Sequence, residues 1–274
     1  MDEEFSGDEV LLLVLSIVVA VAGLATWFRP LARVAALGSS RNQRLLLWLV
    51  PIVCLGVIWF VLASFAASEV RHNTGYTVLF VATGAAWLTV ARGLFALLGI
   101  SFRDDALERN NPAATMAICG AMLGVTFTYA GANIGEGPTV WTTIYPGLMA
   151  TACLLVFWLS IELTTHVSLA VTEDRDLASG LRLAGFLTSV GLILGRAVAG
   201  DWESAVVTVD DFVRDAWPVL LWVFVAVIAE DMLRPTPERP FPSVVKSGLV
   251  PALSYLLAAV GYLLWLGPWN SVPQ

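Results

Sequence analysis

Residues 45–66 read LLLWLVPIVCLGVIWFVLASFA, a run of 22 residues without a charge. As an α-helix, rising ~1.5 Å per residue, it is long enough to cross a hydrocarbon layer of ~30 Å. Apolar side chains on every face exclude a helix with one wet side, and the strict alternation of a barrel strand is missing. Working outward, seven more apolar runs of similar length follow: 10–28, 77–100, 113–134, 141–163, 178–199, 216–233 and 247–267. A helix satisfies its own backbone hydrogen bonds, which irregular chain in lipid cannot do. The sequence therefore predicts an all-α polytopic integral membrane protein with about eight transmembrane helices.

Composition agrees. The chain is 58% hydrophobic and 14% charged, against ~25% charged in soluble domains. A net charge of −7 and the lack of a basic stripe exclude nucleic acid as a partner. Cys54, Cys119 and Cys153 sit inside apolar runs without CxxC spacing, and His72 and His166 lie far apart. They read as reduced core thiols and solitary histidines, so neither a metal site nor a cofactor is expected. The start, 1–9, carries five acids and no base. A secretory signal needs a positive leading region, so the run 10–28 is expected to stay in the mature protein.

Arginine placement gives an orientation. The connections after the first, third, fifth and seventh runs hold Arg29, Arg33, Arg41, Arg44, Arg103, Arg109, Arg175, Arg234, Arg239 and Lys246, with Arg182 counted on the same side just inside the sixth run. The opposite side holds only Arg71 and Arg214, while Arg92 and Arg196 lie within runs. The rich side is expected to face the cytoplasm of a bacterium, with both termini outside its inner membrane. Trp27, Trp48, Trp141, Trp202, Trp217, Trp265 and Trp269 fall where helices should meet headgroups, as amphipathic indoles do.

The fourth and sixth runs are rich in glycine and alanine and are expected to face protein. Gly120 with Gly124, Gly131 with Gly135, and Gly191 with Gly195 are each four apart, the spacing that lets two helix backbones approach. A shift of 65 residues aligns Glu108 with Glu173, Ala113 with Ala178, Gly120 with Gly185, Val125 with Val190, Ala132 with Ala197 and Gly135 with Gly200. Glu136 falls on Asp201, and Pro146 and Pro218 are read as opening the two returning helices. The expected organisation is a three-span region (1–107), two hairpin repeats (108–167 and 168–233) and a single-span region (234–274). Two hairpins of like direction would make parallel repeats.

Asn111-Pro112-Ala113-Ala114, followed by Ala117 and Gly120, resembles the repeat unit of the YjfL-like bacterial inner-membrane proteins. Asp176-Leu177-Ala178-Ser179, followed by Ala184, Gly185 and Gly191, resembles a second copy, with aspartate in place of asparagine. The resemblance covers residues 108–232. It implies tandem helical hairpins and a setting in envelope stress or membrane maintenance. It implies no catalytic residues.

The remaining candidates are charges. Arg196 sits about one turn from the outer end of its run, with Asp201 and Glu136 as expected partners. Arg92, sixteen residues into the third run, is expected to face the bundle and to reach Glu162, Glu230 or Asp231 near the inner boundary. Segment 201–215 reads as a short amphipathic helix on the outer surface. No GxSxG, HExxH, P-loop or GxGxxG motif after a strand is present, and no nucleophile has a base nearby, so an enzyme is not expected. The leading expectation is a non-enzymatic component of a membrane assembly, with lipid and either a second copy or other membrane proteins as partners. The alternative is a channel or transporter for ions, protons or a small solute, built on the intramembrane charges.

Overall fold

The computed structural model describes residues 5–34, 41–236 and 242–267. Its helices are α1 (Gly7–Val34), α2 (Arg41–Phe65), a short α3 (Ser68–His72), α4 (Thr74–Phe95), α5 (Pro112–Gly131), α6 (Trp141–Thr165), a short α7 (Val167–Thr172), α8 (Leu177–Ala197), α9 (Ala205–Ala216), α10 (Val219–Leu233) and α11 (Val250–Leu266). Among the described residues, seven helical stretches are long and apolar enough to cross a membrane. Taken as one span, α9 with α10, bent by 41° at their junction, makes eight. Every apolar run read from the sequence thus corresponds to a helix, and the protein is a polytopic membrane bundle.

Local chemistry sets the helix ends. Asn111 opens α5 by accepting from the amides of Ala113 and Ala114, with Pro112 in the first turn, where its missing N–H is not needed. Asp176 opens α8 in the same way, accepting from Ala178 and Ser179. Asn73 caps α4 and Ser204 caps α9. His166, at φ 51°, turns the chain out of α6 into α7. Pro146 does not open its helix: α6 already begins at Trp141, and the ring sits within the early turns. Pro218 does stand just before α10.

The bundle has two chemically distinct ends. Glu9, Glu69, Glu136, Asp201 and Asp215 gather at one, the acidic end, where Trp141 donates to Asp8 and Tyr262 to the Asp215 carbonyl. The other, basic end carries Arg29, Arg33, Arg41, Arg103, Arg109 and Arg175 at the connections between spans. Asp2, Glu3, Glu4, Arg239 and Trp269 lie outside the described residues.

The most extensive helix contacts join spans two crossings apart: α1 with α4, α2 with α5, α5 with α8, and α8 with α11. Such partners run parallel. The turns at the acidic end line up accordingly, with the Gly135 amide donating to the Phe65 carbonyl and the Gly200 amide to the Ile134 carbonyl. Gly135 (φ 108°) and Gly200 (φ 144°) both adopt conformations that a side chain disfavours, and a Cβ on Gly135 would fall 2.3 Å from the Gly200 oxygen.

The centre is the α5–α8 pair. Of their most apolar stretches 83% and 78% are buried, against 17–44% for the other single-helix spans. A Cβ on Gly120 would lie 2.3 Å from Ala184 Cα, and one on Gly191 2.4 Å from Gly124 Cα. Removing side chains lets the backbones touch, which is how dispersion holds helices together where lipid offers no hydrophobic drive. Trp158, Tyr129, Phe95 and Phe186 fill the space around this seam. Trp27 also departs from the anchor role: it is buried, donates to the Leu47 carbonyl at 2.8 Å and stacks on Phe102.

Candidate functional site

Three charged places remain once the apolar packing is removed. The first is a buried network between α8, α10 and the start of the last span. Arg182 Nε donates to Glu230 Oε2 at 2.8 Å, Nη2 to Ser179 Oγ at 2.7 Å, and Nη1 to the Ser247 carbonyl. Ser179 Oγ donates to Glu230 Oε1 at 2.5 Å. Both charged side chains are nearly sealed, at 3% and 4% exposure. Four hydrogen bonds and an opposite charge offset the loss of water, the condition under which buried ions are tolerated.

This network corrects two expectations. Arg182, counted with the cytoplasmic charges from just inside its run, is instead buried within the bundle. Glu230 pairs with Arg182 and not, as expected, with Arg92. The sequence did contain the signal: an arginine six residues past Asp176, flanked by Leu181 and Leu183, has no water to reach and must find a buried acid. Glu162 is engaged separately, accepting from the Ser168 amide at 2.8 Å and its hydroxyl at 2.6 Å across the α6–α7 turn. Asp231 is exposed at the basic end of α10.

The second place is a cavity of about 780 Å³ at the acidic end, walled by the aligned turns, α3, and the approach to α9. Arg196, Glu136 and Asp201 all line it, as do Glu9, Glu69, Glu203, Asp211, Arg214 and Asp215. Arg196 pairs with Asp215 at 3.7 Å and donates to the Gly267 carbonyl at 3.2 Å. Asp215 was not among its expected partners. It reaches Arg196 because α9, which sequence reading laid on the surface, inserts Phe212, Asp215 and Ala216 into the bundle. Asp201 accepts from the Glu136 amide at 2.7 Å, and Glu136 from the Ser68 amide at 2.9 Å. These two carboxylates therefore stitch neighbouring turns together while facing the cavity.

The third place is Arg92. Among the described residues it meets no acid, contrary to expectation, and it lies half-buried against the core rings of Trp27 and Phe102. Its guanidinium lies 5.6 Å from the ring centres of both Trp27 and Phe102 and donates to Thr26 Oγ1 at 2.8 Å. The cation lies beside the stacked pair of Trp27 and Phe102, whose ring centres are 3.9 Å apart. The glycines named from spacing, Gly120, Gly124, Gly131, Gly135, Gly191 and Gly195, all sit where helix or turn backbones meet.

A family model described as Domain of Unknown Function (DUF350) matches residues 69–198, just under half of the 274-residue chain. The match runs from α3 to the end of α8 and so contains the α5–α8 pair, Arg92, Arg182 and Arg196. No curated protein and no solved structure matches the chain.

Proposed function

We propose that this chain is a non-enzymatic, multi-pass component of a membrane assembly in the bacterial inner membrane, with its acidic end and both termini outside the cytoplasm. The observation that carries the reading is the uneven burial. One helix pair is sealed at the centre, while α1, α2, α10 and α11 leave large apolar side chains such as Leu15, Trp59, Phe224 and Leu257 bare. A rigid centre with broad lateral faces suits a protein that seats others around it. The aligned acidic turns offer those partners a polar cleft.

The division into two hairpin repeats (108–167 and 168–233) belongs to the same proposal, flanked by the regions 1–107 and 234–274. The paired caps Asn111 and Asp176 and the parallel α5–α8 seam support it, and so does the resemblance to YjfL-like repeats. That resemblance also supplies the envelope-maintenance setting. The transport reading draws less support. Of its residues, Arg92, Glu162 and Glu230 are absent from the walls of the acidic-end cavity, and the two acids are taken up in hydrogen bonds.

Extraction in a mild detergent followed by cross-linking and sizing tests this. A species larger than one chain plus its micelle, made of further copies or of a reproducible membrane partner, is expected. A strict monomer with no co-purifying protein would contradict the proposal.

A further inference from the structure

We propose that Arg92 forms the centre of a binding site for the phosphate of an anionic phospholipid in the leaflet at the basic end of the bundle. The argument starts from charge. Among the described residues, no carboxylate pairs with Arg92; its polar contact is the neutral hydroxyl of Thr26. The acids nearest in sequence are engaged elsewhere: Asp104 accepts from Ser101 Oγ, Asp105 pairs with Arg109, and Glu108 with Arg103. A guanidinium left with one neutral partner in an apolar setting keeps donors free in a fork that matches a phosphate.

Position gives the ligand its class. Arg92 stands in the last third of its span, six residues before the span ends at Leu98, and Thr26, its neighbour on α1, is exposed on the lateral surface. The pair therefore looks out sideways at the level where hydrocarbon gives way to headgroups. Arg29 and Arg33 lie three and seven residues after Thr26, on the same face of α1, and both are exposed. Three cations thus climb one stripe towards the headgroup layer, with Arg92 the deepest. Trp27 and Phe102 wall off its other side.

Beside it runs a shallow crevice of about 30 Å³ lined by Gly23, Leu24, Leu55, Leu88 and Thr89. It opens because α1 leans on α4 at Gly23, where a Cβ would clash with Thr89, and touches α2 little. The crevice admits only the first carbons of an acyl chain, so most of the lipid stays in the bilayer. A soluble anion would gain nothing from it. Lipids of one negative charge are drawn by the arginine stripe, and zwitterionic lipids much less.

Native mass spectrometry of the purified full-length protein, titrated in neutral detergent with phosphatidylglycerol or with phosphatidylcholine of the same chains, tests the site. The wild type should retain phosphatidylglycerol about tenfold more tightly, the scale of one charge-assisted contact. Arg92→Gln, which keeps a donor for Thr26, should remove that preference, and Arg71→Ala, an exposed cation at the acidic end, should leave it intact. Equal retention of the two lipids by the wild type overturns the proposal without recourse to any variant. Unchanged preference in Arg92→Gln also overturns it. If inorganic phosphate alone raises the melting temperature of the wild type as much as phosphatidylglycerol does, and Arg92→Gln abolishes that rise, the site takes a soluble anion and the lipid assignment falls.

Discussion

Gly131 and Gly195 meet backbone to backbone across the α5–α8 seam, so closely that a Cβ on Gly131 would stand 2.1 Å from the Gly195 carbonyl oxygen. Neither helix is tethered to the other there by a side chain. The contact exists because both positions lack one, and the two spans cannot reach this distance otherwise.

Gly131→Ala should therefore push the two spans apart. Overpacking a tight contact of this kind destabilises by about 1–3 kcal/mol. Gly56→Ala on α2 is the control, because a Cβ there meets nothing within 4 Å. Thermal unfolding in detergent should show a lowered midpoint for the first variant and none for the second.

Arg182 and Glu230 make the strongest polar tie, and they tie α10 to a bundle it otherwise touches lightly: Val219, Ala226 and Glu230 are its buried residues. Arg182→Met leaves a carboxylate at 4% exposure without its cation, a change that costs about 3–5 kcal/mol. Arg182→Met with Glu230→Leu removes both charges and should regain much of that loss. Denaturant titrations of the single and double variants give the coupling; additive losses would show that the pair does not act as a unit.

Asp215→Asn should loosen α9. It removes the ion pair to Arg196, together with that to the exposed Arg214, while keeping the backbone carbonyl to which Tyr262 donates. The pair is part-buried at 13% and 12% exposure, so a loss of about 1 kcal/mol is expected, near the upper end for exposed pairs. Hydrogen exchange should quicken about fivefold across residues 205–216, with α5 unaffected. Uniform exchange changes throughout the bundle would place the effect elsewhere.

The eight spans were legible because lipid imposes a length and a polarity that composition reveals directly. Residues 45–66 could be little else. The glycine pairs were legible too, since spacing of four places them on one helix face whatever lies opposite. Charge pairing was not. Which group meets Arg182, Arg196 or Arg92 depends on how far α9 tips into the bundle and on which side α1 leans, and neither is written in local periodicity. Trp27 shows the same limit: its depth matched a headgroup anchor, yet its neighbours Leu47 and Phe102 enclose it.

The most direct test of the account is the sidedness of the two ends. Cys54, Cys119 and Cys153 would first be replaced, and single cysteines placed at Glu69 and Glu203 of the acidic end and at Arg103 and Asp174 of the basic end, all four exposed. Intact cells would then be treated with a maleimide that cannot cross the inner membrane. Labelling at 69 and 203 in intact cells, and at 103 and 174 only after lysis, is the predicted pattern. Labelling at either basic-end position before lysis, or protection of either acidic-end one, would contradict the eight-crossing arrangement with its acidic end outside.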